Sequence, residues 1–177
     1  MKRRHPYPQL WMMTDERQGD ALFAAVTRMP RGAGVIFRHH ATPAAERRAL
    51  FDRLRTVCRR RGLVLFIAGD EASARQWRAD GSHHRRPGPP RPGTAPAHDL
   101  RELRAAERSG AALILLSPVH ATRSHPGAPA LGPMRFAALM QATRTPVLGL
   151  GGMNAKRGRI AMRLGAYGWA AIDAWTH

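Results

Sequence analysis

Short runs of apolar residues alternate along this chain with longer stretches whose apolar positions recur every three or four residues. Those two periodicities separate buried strands from amphipathic helices. Residues 10–13 read as a first strand, closed by Thr14-Asp15, and a helix from Gly19 or Asp20 to Arg28 turns Leu22, Phe23 and Val26 inward. A second strand over 35–37 leads into Arg38-His39-His40. Thr42-Pro43 followed by Glu46 starts a helix that runs to about Arg61 and stops at Gly62. Proline and a carboxylate suit the first turn, and glycine suits the residue past the last. The third strand, 63–67, is continuously apolar, as expected where both faces are covered. A short helix over 72–79 follows, and 80–84 reads as a weak strand.

The pattern then fails. Residues 85–96 hold five prolines and no amphipathic period, so they read as a loop replacing a helix. A helix resumes at Ala97 or His98 and ends at Gly110, followed by a strand over 111–116 and a long Gly/Pro/Ser/Thr loop over 117–132. A helix over 133–143, a strand over 147–150 closed by Gly151-Gly152, a helix capped by Asn154 and a last strand over 169–172 complete the series. Strands alternating with helices imply right-handed βαβ units and a parallel sheet. Seven or eight such units in 177 residues predict one domain, a compact (β/α)8 TIM barrel with a degenerate middle helix and no C-terminal helix. Typical barrels run to about 250 residues, and the missing helices account for the shortfall. An open, flavodoxin-like sheet is the alternative.

The chain is strongly basic. Twenty-nine Lys+Arg against twelve Asp+Glu give a formal charge of +17, with lysine only at Lys2 and Lys156. Such a field attracts phosphates, nucleic acid and anionic surfaces. Arg47, Arg48, Arg53 and Arg55 fall on a predicted helix exterior, however, and aromatics are not interleaved with the basic runs. A solvated basic surface is therefore favoured over a nucleic-acid platform. The single cysteine, Cys58, shares a helical face with Leu50, Phe51, Leu54 and Val57. It reads as a small core residue in a protein of the reducing cytoplasm. The N-terminal stretch is basic but broken by Pro6 and Pro8, and no run of about twenty apolar residues predicts a membrane span.

Two features point to an anionic ligand. The loop after the strand over 111–116, SPVHATRSHPGAPALG, carries hydroxyls, two histidines and an arginine, at the strand end where a barrel presents its site. Gly151-Gly152 lies after the penultimate strand and before a capped helix, where backbone N–H groups approach a phosphate.

The loop closely resembles the GPVFPTPTKPGAPPLG loop of thiamine-phosphate synthases and the related TenI-like proteins. Other segments agree in order: LWMMTD with the first strand, VIFRHH with QLRxK, ADGSHH with ADGVHLG, PVLGLGGMN with PVVAIGGI(T/N), and LGAYGWAAIDA with GADGVAVVSAI. The resemblance covers nearly the whole chain. It implies a (β/α)8 barrel that couples hydroxymethylpyrimidine pyrophosphate to thiazole phosphate in thiamine biosynthesis, with Mg²⁺ assisting release of pyrophosphate. It assigns pyrophosphate and substrate contacts to Thr122, Ser124 and His125, the family arginine after the second strand to Arg38, and the thiazole-phosphate cradle to Gly151 and Gly152.

The departures from that pattern are chemical. Two family lysines correspond to His40 and His125, which are only partly cationic near neutral pH. The family's Asn-Asp pair, with its Mg²⁺ ligand, corresponds to Ala68-Gly69, with Asp70 one place out of register. The second metal ligand would fall in the proline loop, which has no carboxylate, and Asp173 replaces a phosphate-side serine. No metal site is therefore assigned, and coupling activity is in question. A TenI-like tautomerase needs no metal and uses a histidine at the place of Pro118. His120, two residues on, is the candidate acid/base beside His125. The expected ligand set is Arg38, His40, Thr122, Ser124, His125, Gly151 and Gly152 around a phosphorylated heterocycle. The rival readings are a non-catalytic binder on the same scaffold and a polyanion-binding surface. Outer faces of the first and last strands, left bare by the missing helix, predict burial against a second copy. His39, His40, His83 and His84 read as polar barrel-mouth residues rather than metal ligands, because adjacent strand residues face opposite ways.

Overall fold

The computed structural model describes residues 7–86, 92–122, 127 and 129–175. In chain order its elements are β1 (Leu10–Met13), α1 (Ala21–Arg28), β2 (Gly34–Phe37), α2 (Ala44–Arg61), β3 (Val64–Ala68), α3 (Glu71–Trp77), β4 (Gly81–His83), β5 (Gly93–Ala97), α4 (Leu100–Arg108), β6 (Leu113–Leu116), α5 (Gly132–Met140), β7 (Val147–Gly149), α6 (Ala155–Arg163) and β8 (Gly168–Ala171). All eight strands pair in parallel in sequence order, and β8 closes on β1 with Leu10 opposite Trp169 and Met12 opposite Ala171. The barrel is closed, so the open-sheet alternative is excluded.

The proline loop is where the sequence reading needs correction. Its last residues and Ala97 are a strand, β5, with Thr94 opposite Leu113 and Ala97 opposite Leu116. Small residues and a proline carry little hydrophobic periodicity, so the strand is invisible until its neighbours are in place. No helix lies between β4 and β5 among the described residues. α4 starts at Leu100 rather than at Ala97 or His98, because Asp99 caps it by accepting from Glu102 N–H. Asp70 and Asn154 cap α3 and α6 in the same way. Each such cap contributes about 1 kcal/mol.

Side chains pointing into the barrel include Trp11, Ile36, Phe66, Leu113, Leu115 and Leu148. The outward faces of the strands build two further clusters beneath the helices, one around Phe37, Phe51 and Leu54, the other around Leu103, Ile114 and Phe136. Burying each such side chain contributes roughly 1.5–3 kcal/mol. Trp11 fills the interior because its neighbour Gly34 has no side chain: a Cβ there would lie 2.3 Å from the indole. The indole N–H donates to Pro8 O at 2.7 Å, which fixes the ring.

The outer faces of β1 and β8 are not bare. Met12 is fully buried and Trp169 is 8% exposed. Trp169 stacks on Trp175 with centroids 5.3 Å apart, and Arg28 Nη1 donates to Trp175 O. The turn after β8 covers these strands through Trp175, which removes the stated reason for a second copy to cover them. Cys58 is buried as expected, and burial pushes its thiol up to about 12, which keeps it protonated. No helix among the described residues is long and apolar enough to cross a membrane.

Candidate functional site

The C-terminal ends of the strands enclose a cavity of about 280 Å³. Arg38 enters it after β2, His98 after β5, Ser117 and Pro118 after β6, Gly151 and Gly152 after β7, and Asp173 after β8. Leu150, Met153, Ala171 and Ile172 supply an apolar wall. This is the end of a parallel barrel at which loops and ligands meet.

Arg38 is the one arginine or lysine among the described lining residues, and it is anchored at several points. Its N–H donates to Thr14 Oγ1, and its carbonyl accepts from Arg47 Nε and Nη2 at 3.1 and 2.9 Å. Its guanidinium donates to Asp15 Oδ2 at 3.1 Å. Asp15 also accepts from Arg17 Nε at 2.7 Å. Burial acts to raise the Asp15 pKa, but hydrogen bonds from Arg17 and the charges of Arg17 and Arg38 together hold it below the usual carboxylate value. Asp15 thus stays ionised and fixes the arginine's direction. Sequence reading identified Arg38 and missed Asp15, whose role depends on β1 lying beside β2.

The histidines near this end separate into different environments. His39 is buried with a left-handed φ of 46°, its ring stacked on Phe37 and its Nδ1 2.9 Å from Thr14 Oγ1. Thr14 Oγ1 accepts from Arg38 N–H, so its own proton is available to His39 Nδ1. Burial lowers the His39 pKa, which favours the neutral ring. His40 is exposed and is not among the cavity-lining residues, and partial desolvation with the charges of Arg47 and Arg38 lowers its pKa too. It supplies no cation to the cavity at neutral pH. His83 sits at the end of β4, its Nδ1 2.8 Å from Thr94 Oγ1, and burial with the charge of Arg38 pushes its pKa down to about 3.

In the long loop, Thr122 lines the cavity, while Ser124 and His125 lie outside the described residues. Val119 and His120 donate their backbone N–H groups to Leu150 O and Gly151 O, zipping the loop onto the end of β7. His120 is half-buried and is not among the lining residues, whereas Pro118, Ala121 and Thr122 are. The loop turns here, so the two-residue spacing from Pro118 does not carry His120 to the same wall. Burial and the charge of Arg157 lower its pKa. Gly151 and Gly152 have φ of 93° and 59°. A Cβ on Gly151 would lie 2.7 Å from Pro118 Cα, and one on Gly152 would lie 2.4 Å from Ala121 O. Only glycine permits this close approach of the β6 and β7 loops.

His98 was not selected by sequence reading. Its Nδ1 lies 2.8 Å from Ser117 O and 3.3 Å from Ser117 Oγ, and its backbone N–H donates to Glu102 Oε2. The missing signal was β5: once that strand is known, His98 is the first residue beyond it, a position that faces the site.

Among the described residues, Ala68-Gly69, the place of the family's Asn-Asp pair, offers no carboxylate to a Mg²⁺. Among the described residues no three His, Cys, Asp or Glu side chains form a metal-binding group. Asp70 is turned onto its own helix, accepting from Ser73 N at 2.8 Å and Ser73 Oγ at 2.7 Å. Residues 85–96 hold no carboxylate.

Residues 94–175 match the family model described as thiamine monophosphate synthase. A putative thiamine-phosphate synthase 2 of Aquifex aeolicus is 36% identical over 77 residues, 44% of this chain and 41% of its own. A thiamine biosynthesis bifunctional protein of Symbiobacterium thermophilum is 31% identical over 79% of this chain, and the alignment spans 32% of that longer protein. A thiamine-phosphate synthase of Chloroflexus aurantiacus is 28% identical over 94% of this chain and 84% of its own. Among solved structures, thiamine phosphate pyrophosphorylase from Pyrococcus furiosus superposes with a TM-score of 0.79 at 21% identity, covering 97% of this chain and 89% of its own. That likeness shows the barrel fold.

Proposed function

The chain is a thiamine-phosphate synthase/TenI-like barrel, and on that premise we propose that its cavity binds a phosphorylated heterocycle of the thiazole phosphate class. The observation that carries this reading is the meeting of Arg38 with the Gly151-Gly152 turn on one small, largely apolar cavity. The apolar wall suits a flat ring, the guanidinium suits a single phosphate, and the two glycines bring backbone against it at the start of α6. A diphosphate is a poor match. Arg38 shares its charge with Asp15, Asp173 stands in the same lining, and His40 contributes no cation there.

Coupling to a pyrimidine pyrophosphate needs neutralisation of the leaving pyrophosphate, which a metal or a cluster of cations supplies. The described residues do not provide that, so we infer ligand binding without efficient metal-dependent coupling, in the reducing cytoplasm. The test is calorimetric titration with thiazole phosphate, pyrophosphate and thiamine phosphate, each with and without Mg²⁺, beside a coupling assay. The expected result is Mg²⁺-independent binding of thiazole phosphate and little thiamine phosphate formed. Robust Mg²⁺-dependent formation of thiamine phosphate would overturn the inference about coupling.

A further inference from the structure

We propose that the groove along the outer flank of α4 is a second anion site, separate from the barrel mouth, that binds a short phosphate chain such as a di- or triphosphate. The helices of a (β/α)8 barrel form an outer ring around the strands. Between β4 and β5 no helix lies among the described residues. In that sector a hollow of about 510 Å³ is lined by Arg85 and Arg86, which follow β4, and by Arg101, Glu102, Ala105 and Arg108 of α4. The volume falls inside the roughly 300–1,000 Å³ range of small-molecule sites.

Four guanidiniums share this hollow with one carboxylate. Arg101, Ala105 and Arg108 recur at spacings of four and three along α4, so they lie on one face. Two arginines therefore flank a floor whose central side chain is only a methyl. Seven residues separate them, about 10 Å along the axis, a span that suits a row of phosphates better than a single one. Glu102 does not neutralise the set. Its Oε1 accepts from Arg85 Nη1 at 2.6 Å and its Oε2 from His98 N–H at 3.0 Å. Arg86, Arg101 and Arg108 have no ion pair among the described residues.

The basic face of α2 is built differently. There Arg48 and Arg55 hold Asp52, and Arg47 and Arg61 hold the carbonyls of Arg38 and Met29. Arg86, Arg101 and Arg108 have no such internal task, and their like charges repel until an anion joins them. All four lining cations are arginine, whose fork of N–H donors engages phosphate oxygens two at a time. A phosphate chain brings several charges into a small volume, whereas an acidic peptide brings one per residue.

The test is calorimetry with inorganic triphosphate in Mg²⁺-free buffer at physiological salt. Binding at a single site is expected, with orthophosphate at least about tenfold weaker. Arg101→Gln combined with Arg108→Gln should weaken triphosphate binding at least about tenfold. Both side chains are exposed, so the urea midpoint and the affinity for thiazole phosphate should stay as in wild type. Arg59→Gln with Arg60→Gln removes the same charge from the exposed end of α2 and should leave triphosphate affinity within about threefold. An equal loss in both pairs means a diffuse ion cloud and overturns the proposal. A loss in R38M but not in R101Q/R108Q puts the chain at the barrel mouth and overturns it too, as does absence of triphosphate binding. Adenosine triphosphate carries the same chain and should bind comparably; a strong preference for the nucleotide overturns the assignment to the chain. A hexaglutamate peptide that binds as tightly as triphosphate overturns the assignment to phosphate.

Discussion

Replacing Arg38 with methionine tests the anion site most directly, because methionine keeps an unbranched apolar stem and removes the cavity's guanidinium. A hydrogen bond from a charged donor to an ionised phosphate contributes about 1.5–3 kcal/mol. At about 1.4 kcal/mol per tenfold, R38M should bind thiazole phosphate about 10- to 150-fold more weakly. The loss should shrink as salt is raised, since part of it is Coulombic. Fold stability should suffer much less. Asp15 loses Arg38 at 3.1 Å but keeps Arg17 at 2.7 Å, and Arg38's side chain is 26% exposed, so the cost should be about 1 kcal/mol or below. Calorimetry at two salt concentrations gives the affinities, and urea unfolding reports stability separately. An R38M affinity within about twofold of wild type, with the same salt dependence, would refute the assignment of Arg38 to phosphate.

Three further outcomes follow from the same geometry. Asp173→Ser removes a negative charge from the lining and should tighten thiazole phosphate binding several-fold, on the order of 1 kcal/mol for a screened like-charge pair; unchanged or weaker binding by calorimetry would show that the carboxylate does not face the phosphate. Gly34→Ala drives a methyl into the fixed indole of Trp11 and should cost about 1–3 kcal/mol, read as a lower urea midpoint; an unchanged midpoint would mean the barrel interior has room to yield. His83, with its folded pKa depressed to about 3 from an ordinary value of 6.5, excludes a proton that the unfolded chain binds. Its stabilising contribution is therefore full above pH 6.5 and is lost as pH falls from there toward 3. His83→Asn should flatten wild-type stability over that window in urea titrations, and identical pH profiles would contradict the assignment.

What the sequence determined was the barrel's rhythm and ancestry. Leu113–Leu116 and Val64–Ala68 are continuous apolar runs because both faces are covered, and Asn154 and Gly62 mark helix ends by local backbone chemistry that needs no tertiary partner. The loop from Ser117 and the Gly151-Gly152 pair were legible for the same reason, since a turn with positive φ demands glycine wherever it occurs. What only tertiary structure decided was which side chains meet. Gly93–Ala97 is a strand because β4 and β6 offer it hydrogen-bonding edges, although its own residues are too small and too proline-rich to signal it. His98 enters the cavity through that strand, and its tautomer is set by Ser117, nineteen residues away. Asp15 acquires its role from a neighbouring strand, while His40 and His120, plausible by spacing, are turned away from the lining by backbone geometry. Trp175 covers β8 through a stacking contact that no local pattern encodes. Propensity and periodicity act over a few residues along the chain, whereas the site is made of contacts across the barrel mouth, and those exist only once the eighth strand has closed on the first.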